Sequence, residues 1–152
     1  APVAPGATVN GRARRGRPSD RDGPSLTSGS GPRACIMVGM KIVHYSEVAA
    51  ENPGGDTEGV TVRWVISAED GAPTYYMRVF EIAPGGYSPL HRHPWEHEIY
   101  ILSGEGEMVG EDGSAAARPG TAVFIPGGEL HQVKNPGGQL LRFICTIPSS
   151  GS

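Results

Sequence analysis

The sequence has little of what defines several protein classes. It holds two cysteines in 152 residues, too few for a disulfide-rich scaffold and without the spacing of a zinc ribbon. No apolar run approaches the about 20 residues that span a lipid bilayer, so no membrane partner is expected. The formal net charge of −3 argues against a protein that coats nucleic acid with a basic surface.

The first 34 residues contain no aromatic side chain and no lysine. They hold six arginines and two aspartates among Pro, Gly, Ser and Ala, for a net charge of +4. This composition cannot bury enough apolar surface to offset the entropy lost on ordering. We therefore expect a disordered tail over residues 1–39, a lead-in segment over 40–59, a folded domain over 60–148 and a C-terminal tail over 149–152.

Other roles for the arginine-rich segment remain open at this point. The arginines could contact RNA or an anionic surface, and Arg14 and Arg15 could belong to an export signal, although no apolar segment follows them directly. A transit peptide is a further alternative, against which Asp20 and Asp22 argue. In a last alternative, Met40 is the natural start and the preceding residues are translated upstream sequence. We expect a cytoplasmic location.

Stretches that could form long helices are scarce, because 23 glycines and 14 prolines interrupt the chain. Between these residues lie short β-branched, aromatic or alternating segments, with turn signals about every 8–12 residues. A single helical turn is expected over 46–50, a turn over 84–86 and a hairpin turn over 111–113. The pattern predicts an all-β sandwich or barrel whose strands cover residues 60–66, 75–83, 98–102, 107–109, 121–125, 130–134 and 139–147.

The last predicted strand shows which of its side chains face the interior. Side chains alternate between the two faces of a strand, and the charged Arg142 marks the outer face. Phe143 and Cys145 should therefore point inward, as core or as the lining of a pocket. Arg78 is a third pocket-lining candidate: facing inward it could hold a substrate carboxylate, whereas facing outward, the more ordinary position, it would be a solvated charge.

Four of the five histidines form a pattern typical of a metal site. His91 and His93 are two residues apart, so on a strand they project from the same face. Pro94 should bend the chain and let His97 return toward them, and His131 lies on a later strand. Neutral imidazole is a good ligand for divalent transition metals. His44 stands alone and is expected to be structural or exposed.

The chain resembles the cupin superfamily in two motifs that cover its central part. Together they imply a cupin fold, which is a double-stranded β-helix or jelly-roll barrel, over roughly residues 60–148. The first motif comprises Gly85, His91, His93 and Gly104, and the second comprises Gly120, Pro126, Gly128, His131 and Asn135.

The first motif departs from the usual cupin pattern at one position. Where most cupins place a metal-ligating glutamate, this chain has His97, and Glu98 follows it. The run is similar to that of small single-domain cupins with a four-histidine manganese site. That resemblance implies four ligands, His91, His93, His97 and His131, with Glu98 nearby or facing outward. Alternatively, Glu98 is a ligand and His97 is not.

The resemblance further implies one divalent transition metal per chain and a homodimer. Manganese or iron is favoured, and zinc, copper, nickel and cobalt also suit four nitrogen ligands. Four neutral ligands would leave open positions on the ion for a substrate. We therefore expect a metal-dependent enzyme of oxygenase or redox type that acts on a small organic substrate. The alternatives are a cupin isomerase or epimerase and a non-catalytic module that binds a metal or a small ligand.

Overall fold

The computed structural model describes residues 35–37 and 39–151. Most of their regular structure is β-strand, with short 3₁₀ turns at Tyr45–Glu47, Ala68–Asp70 and Ser149–Gly151. The expected helical turn near residue 46 is the first of these. The strands are β1 (Cys35–Met37), β2 (Met40–Ile42), β3 (Glu58–Ile66), β4 (Tyr75–Tyr87), β5 (His97–Ser103), β6 (Gly106–Gly110), β7 (Gly113–Ala117), β8 (Ala122–Ile125), β9 (Gln132–Lys134) and β10 (Leu141–Pro148).

Eight of these strands form one antiparallel sheet that curls into a half-barrel. The order along the sheet is β7, β6, β9, β4, β10, β5 and β8, with β3 paired to β4. The first two strands pair separately as a hairpin. This curled, strand-rich sheet confirms the expected all-β, jelly-roll fold class. Curling gives the sheet an enclosed face that can hold a core and a site.

Strict alternation in β10 sets the inner face of the sheet, as the sequence predicted. Leu141, Phe143, Cys145 and Ile147 are buried, and the residues between them are partly exposed. Full burial of an aliphatic or aromatic side chain contributes about 1.5–3 kcal/mol each. The alternation therefore fixes the register of β10 against its neighbours β4 and β5.

The longest strand, β4, does not end where the sequence predicted a turn at residues 84–86. Gly85 has a φ of +77°, which glycine adopts without strain, and its N–H donates to the carbonyl of Asn135 (2.9 Å). The carbonyl of Gly86 accepts from the N–H of Asn135 (2.9 Å). The chain therefore bends but stays paired, and β4 reaches from β10 to β9, where Tyr87 pairs with Lys134.

The hairpin expected at residues 111–113 is present and joins β6 to β7. The sequence did not predict β7 itself. Its alanines carry no β-branched or aromatic signal, and its pairing with β6 determines its conformation.

Most of the tail predicted over residues 1–39 lies outside the described residues. Regular structure nevertheless begins within its last part, since β1 pairs with β2. The domain boundaries at residues 39, 59 and 148 stay a prediction. In the part of the chain that the structure describes, no helix is long and apolar enough to cross a membrane.

Candidate metal centre

A short antiparallel bridge brings His91 and His131 together across 40 residues of sequence. The N–H of His91 donates to the carbonyl of His131 (3.1 Å), and the N–H of His131 donates to the carbonyl of His91 (2.9 Å). Directly opposed residues in an antiparallel pair project from the same face. Their rings accordingly lie with centroids 4.5 Å apart.

His93 and His97 reach the same place from a bend at the start of β5. The N–H of Gly128 donates to the carbonyl of His93 (2.6 Å), which ties the bend to the second histidine segment. A Cβ at Gly127 would collide with the carbonyl of Pro94, so glycine permits this close approach. The Nε2 atoms of His93 and His97 end 2.7 Å apart.

The four imidazoles form one cluster, whose potential ligand atoms all lie within 4.8 Å of one another. Three of them are oriented by backbone carbonyls. Nδ1–H of His91 donates to Pro89 (2.9 Å), that of His93 to Trp95 (2.8 Å) and that of His131 to Glu129 (2.8 Å). Because a carbonyl can only accept, each of these rings presents an unprotonated Nε2 in its neutral form.

The charge state of the rings also suits a cation. Burial lowers the pKa of His93 and of His131, and burial together with the nearby Arg78 guanidinium lowers the pKa of His97 to about 3. These three rings are therefore neutral at neutral pH and keep their lone pairs. Nε2 of His131 is buried without a hydrogen-bond partner. A buried polar atom without a partner is costly, and a metal ion at the cluster would satisfy it.

The cluster could therefore hold a divalent transition metal. Its all-nitrogen donors suit Mn, Fe, Co, Ni, Cu or Zn and not the oxygen-seeking Mg²⁺ or Ca²⁺.

Strand parity separates the two rival residues at the start of β5. His97 is buried in the cluster, whereas Glu98 is exposed on the opposite face of the strand. Partial burial, followed by repulsion from Glu96, raises the pKa of Glu98. The structure thus brings His97, and not Glu98, to the other three histidines. His44 lies apart from them, exposed, where its ring accepts from the N–H of Ser46 at the first 3₁₀ turn.

A half-open cavity of about 220 Å³ adjoins the cluster. All three pocket-lining candidates from the sequence, Arg78, Phe143 and Cys145, line it beside three of the four histidines. Phe80, which the sequence did not identify as a pocket residue, also lines the cavity, and its ring stacks on Phe143 with centroids 5.2 Å apart. The feature that identifies Phe80 as a pocket residue is its position on β4 opposite Phe143, and only the strand pairing reveals that position.

Arg78 does not take the outward position that the sequence favoured. It pairs directly with Cys145 in the β4–β10 ladder, so it shares the inward face of Cys145. Its Nη2 donates to Sγ of Cys145 (3.1 Å) and lies 3.4 Å from Nδ1 of His97. Burial raises the pKa of the Cys145 thiol despite the nearby guanidinium, and Sγ lies 3.2 Å from Nδ1 of His97.

Trp95 packs against the cluster. Its ring stacks on His93 with centroids 4.1 Å apart and an angle of 6° between the planes. Gly151 lies against the indole, where a Cβ would meet the ring at 2.6 Å. Packing thus limits the rotation of His93.

Comparison with known proteins relates this arrangement to a family and to proteins of several activities. A model of the cupin domain matches residues 78–147. The solved structure of the polyketide cyclase RemF from Streptomyces resistomycificus is 39% identical and has a TM-score of 0.69. The similarity covers 72% of this chain and 80% of that chain.

Two named relatives extend the comparison. An oxalate-binding protein from Thermotoga maritima is 32% identical over 113 residues, which cover 70% of this chain and 92% of that protein. A 1-methylthio-D-xylulose 5-phosphate methylsulfurylase from Rhodospirillum rubrum is 44% identical over 72 residues, or 47% of this chain. The match spans only 46% of that relative. On its sequence motifs, its curled sheet and its likeness to these proteins, the chain belongs to the cupin family.

Proposed function

We propose that the protein is a transition-metal-dependent enzyme that acts on a small organic molecule. The observation that carries this proposal is the convergence of four imidazoles at the wall of a cavity. When bound there by His91, His93, His97 and His131, manganese or iron, or another divalent transition metal, would polarise a substrate oxygen as a Lewis acid. We expect this Lewis-acid role to dominate.

The chain's own residues would bind and orient the substrate. Phe80, Phe143, Ile99 and other apolar side chains form walls that exclude water and favour an apolar or aromatic body. Arg78 offers a positive charge close to the histidines. The cavity lining contains no aspartate or glutamate among the described residues, which disfavours an isomerase or epimerase that moves a proton with a carboxylate.

Among these chemistries, we propose ring closure or a related condensation of an oxygen-rich substrate. The polyketide cyclase among the related structures supports this choice, because its similarity covers most of both chains. Oxygenase or redox chemistry is the second candidate, and its support is the donor set, which also suits iron and manganese.

Metal substitution would separate these proposals. The chain is stripped with a chelator, reloaded with Zn²⁺, Mn²⁺ or Fe²⁺, and incubated with an aryl 1,3,5-triketone while products and dissolved oxygen are followed. We expect cyclised product with redox-inert Zn²⁺, without oxygen uptake, and none with the His131→Ala variant. Oxygen consumption that requires Fe²⁺ or Mn²⁺ would instead favour the oxygenase. Ligand binding without turnover would favour a binding module.

We also propose that the protein is a homodimer, as the resemblance implies, and that it is located in the cytoplasm. Tyr100 and Leu102 on β5 and Phe124 on β8 support the dimer, because these large apolar side chains are exposed on the outer face of the curled sheet. Sedimentation equilibrium should give twice the chain mass of 15.9 kDa. A mass of one chain at micromolar concentration would contradict the dimer.

A further inference from the structure

Arg78 lies in the cavity wall, where two aromatic rings contact its guanidinium. The group lies 5.2 Å from the ring centroid of Trp64 and 5.1 Å from that of Phe80. These two cation–π contacts restrict its rotation. Its Nη2 points to Cys145 and His97, which places the positive charge beside the cluster of four histidines.

Among the described residues, no carboxylate forms an ion pair with this charge. The ion pairs of the described residues join Lys41 to Asp70, Arg92 to Glu111, and both Arg63 and Arg142 to Glu81. Arg78 takes part in none of them, and its contacts are a thiol, an imidazole and two aromatic rings. Its Nε is buried without a hydrogen-bond partner. Such a cation is costly to bury unless something else pairs with it.

The cavity as a whole also carries positive charge without a negative side chain to balance it among its described lining residues. Among its described lining residues Arg78 is the one charged side chain, and the nearby Glu98 projects from the opposite face of β5. A divalent ion at the histidines would add to the positive charge. The low-dielectric walls of the cavity strengthen the attraction between this positive charge and an anion.

The shape and chemistry of the walls define the rest of the ligand. Val60, Ile99, Val133 and Phe143 offer apolar surface and few polar groups. The cavity has a volume of about 220 Å³, whereas pockets for drug-sized ligands have about 300–1,000 Å³, so its ligand is small. One guanidinium fork matches the two oxygens of a carboxylate.

We propose that Arg78 is the anion-binding subsite of this cavity and that its ligand is a small organic carboxylate with an apolar or aromatic body. This inference rests on the proposed function in that the same cavity receives the substrate, but it concerns binding and needs no turnover.

The test compares benzoate with its neutral analogue benzamide by isothermal titration calorimetry on the full chain, both zinc-loaded and chelator-treated. We expect the dissociation constant of benzoate to be at least about tenfold lower than that of benzamide. Arg78→Met should remove that difference by weakening benzoate alone. Arg78→Lys, which keeps the charge but loses the planar fork, should retain part of it. Arg118→Met, which removes an exposed positive charge on a loop, should behave as the unmodified chain.

Zinc content and far-UV circular dichroism accompany each titration. Unchanged zinc in Arg78→Met shows that the metal centre is intact, so a loss of benzoate binding is then assigned to the guanidinium. If Arg78→Met does not fold, the benzoate–benzamide comparison and Arg78→Lys decide. Equal affinity for the two probes, undiminished benzoate binding by Arg78→Met, or a preference for inorganic phosphate over benzoate would overturn the proposal. An inactive chain that still binds benzoate through Arg78 would refute the proposed function alone.

Discussion

Replacing His131 with alanine is expected to reduce bound transition metal from about one equivalent per chain to less than about a tenth. His131 presents a buried Nε2 that has no hydrogen-bond partner among the described residues, and the backbone bridge to His91 fixes the position of His131. The ring can therefore leave without disturbing the strand pairing, and the loss of metal reports on the ligand itself. Elemental analysis after dialysis measures it, with circular dichroism to show that the variant is folded.

Two matched controls sharpen this result. His44→Ala removes an exposed histidine that caps a 3₁₀ turn far from the cluster, so it should keep the full metal content. Glu98→Ala should also keep it, whereas His97→Ala should lose it, because only His97 points into the cluster. Metal retained by His97→Ala and lost from Glu98→Ala would reverse the ligand assignment.

Leu141→Ala is expected to lower the free energy of unfolding by about 2–5 kcal/mol. Leu141 is 0% exposed at the start of β10, where it packs in the core with Ile82 and Ile101. Its pairing with Ile82 joins the two central strands, so little can move to fill the cavity that truncation would leave. Urea unfolding followed by fluorescence gives the change from the midpoint at constant slope.

The neighbouring residue provides the control. Leu140→Ala makes the same chemical change, but Leu140 is 41% exposed and lies just outside β10. We expect an effect within about 0.5 kcal/mol. Similar losses in both variants would show that burial at Leu141 does not dominate the stability of this part of the sheet.

Local patterns predicted the parts of the fold that depend on neighbours in sequence. Alternation alone identified Phe143 and Cys145 as inward-facing, because a strand places every second side chain on the same face. Turn residues likewise located the hairpin between β6 and β7. The same local reasoning failed at Gly85 and Gly86, since a glycine that ends a strand and one that only bends it look alike until the partner, Asn135, is known.

At the site, the sequence alone does not decide whether His97 or its neighbour Glu98 faces the other histidines. Parity allows either His97 or Glu98 to face inward but not both, and the sequence alone left both open. The pairing of β5 with β8 and β10 decides it by burying His97 and exposing Glu98. The orientation of Arg78 was left open for the same reason, with the outward position slightly favoured, because its neighbours on β4 are apolar on both sides.

The sequence by itself determined the strand-rich architecture, the inward face of β10 and the histidine motif, since each follows from residue type and short-range periodicity. Only the tertiary structure decided that the ligand atoms of four imidazoles converge within 4.8 Å and that Arg78 contacts Cys145 beside them, with no carboxylate partner among the described residues. Both depend on the register between strands distant in sequence, such as Arg78 against Cys145. A shift by one residue would send every side chain of a strand to its other face, and tertiary packing selects the register that keeps the apolar face buried.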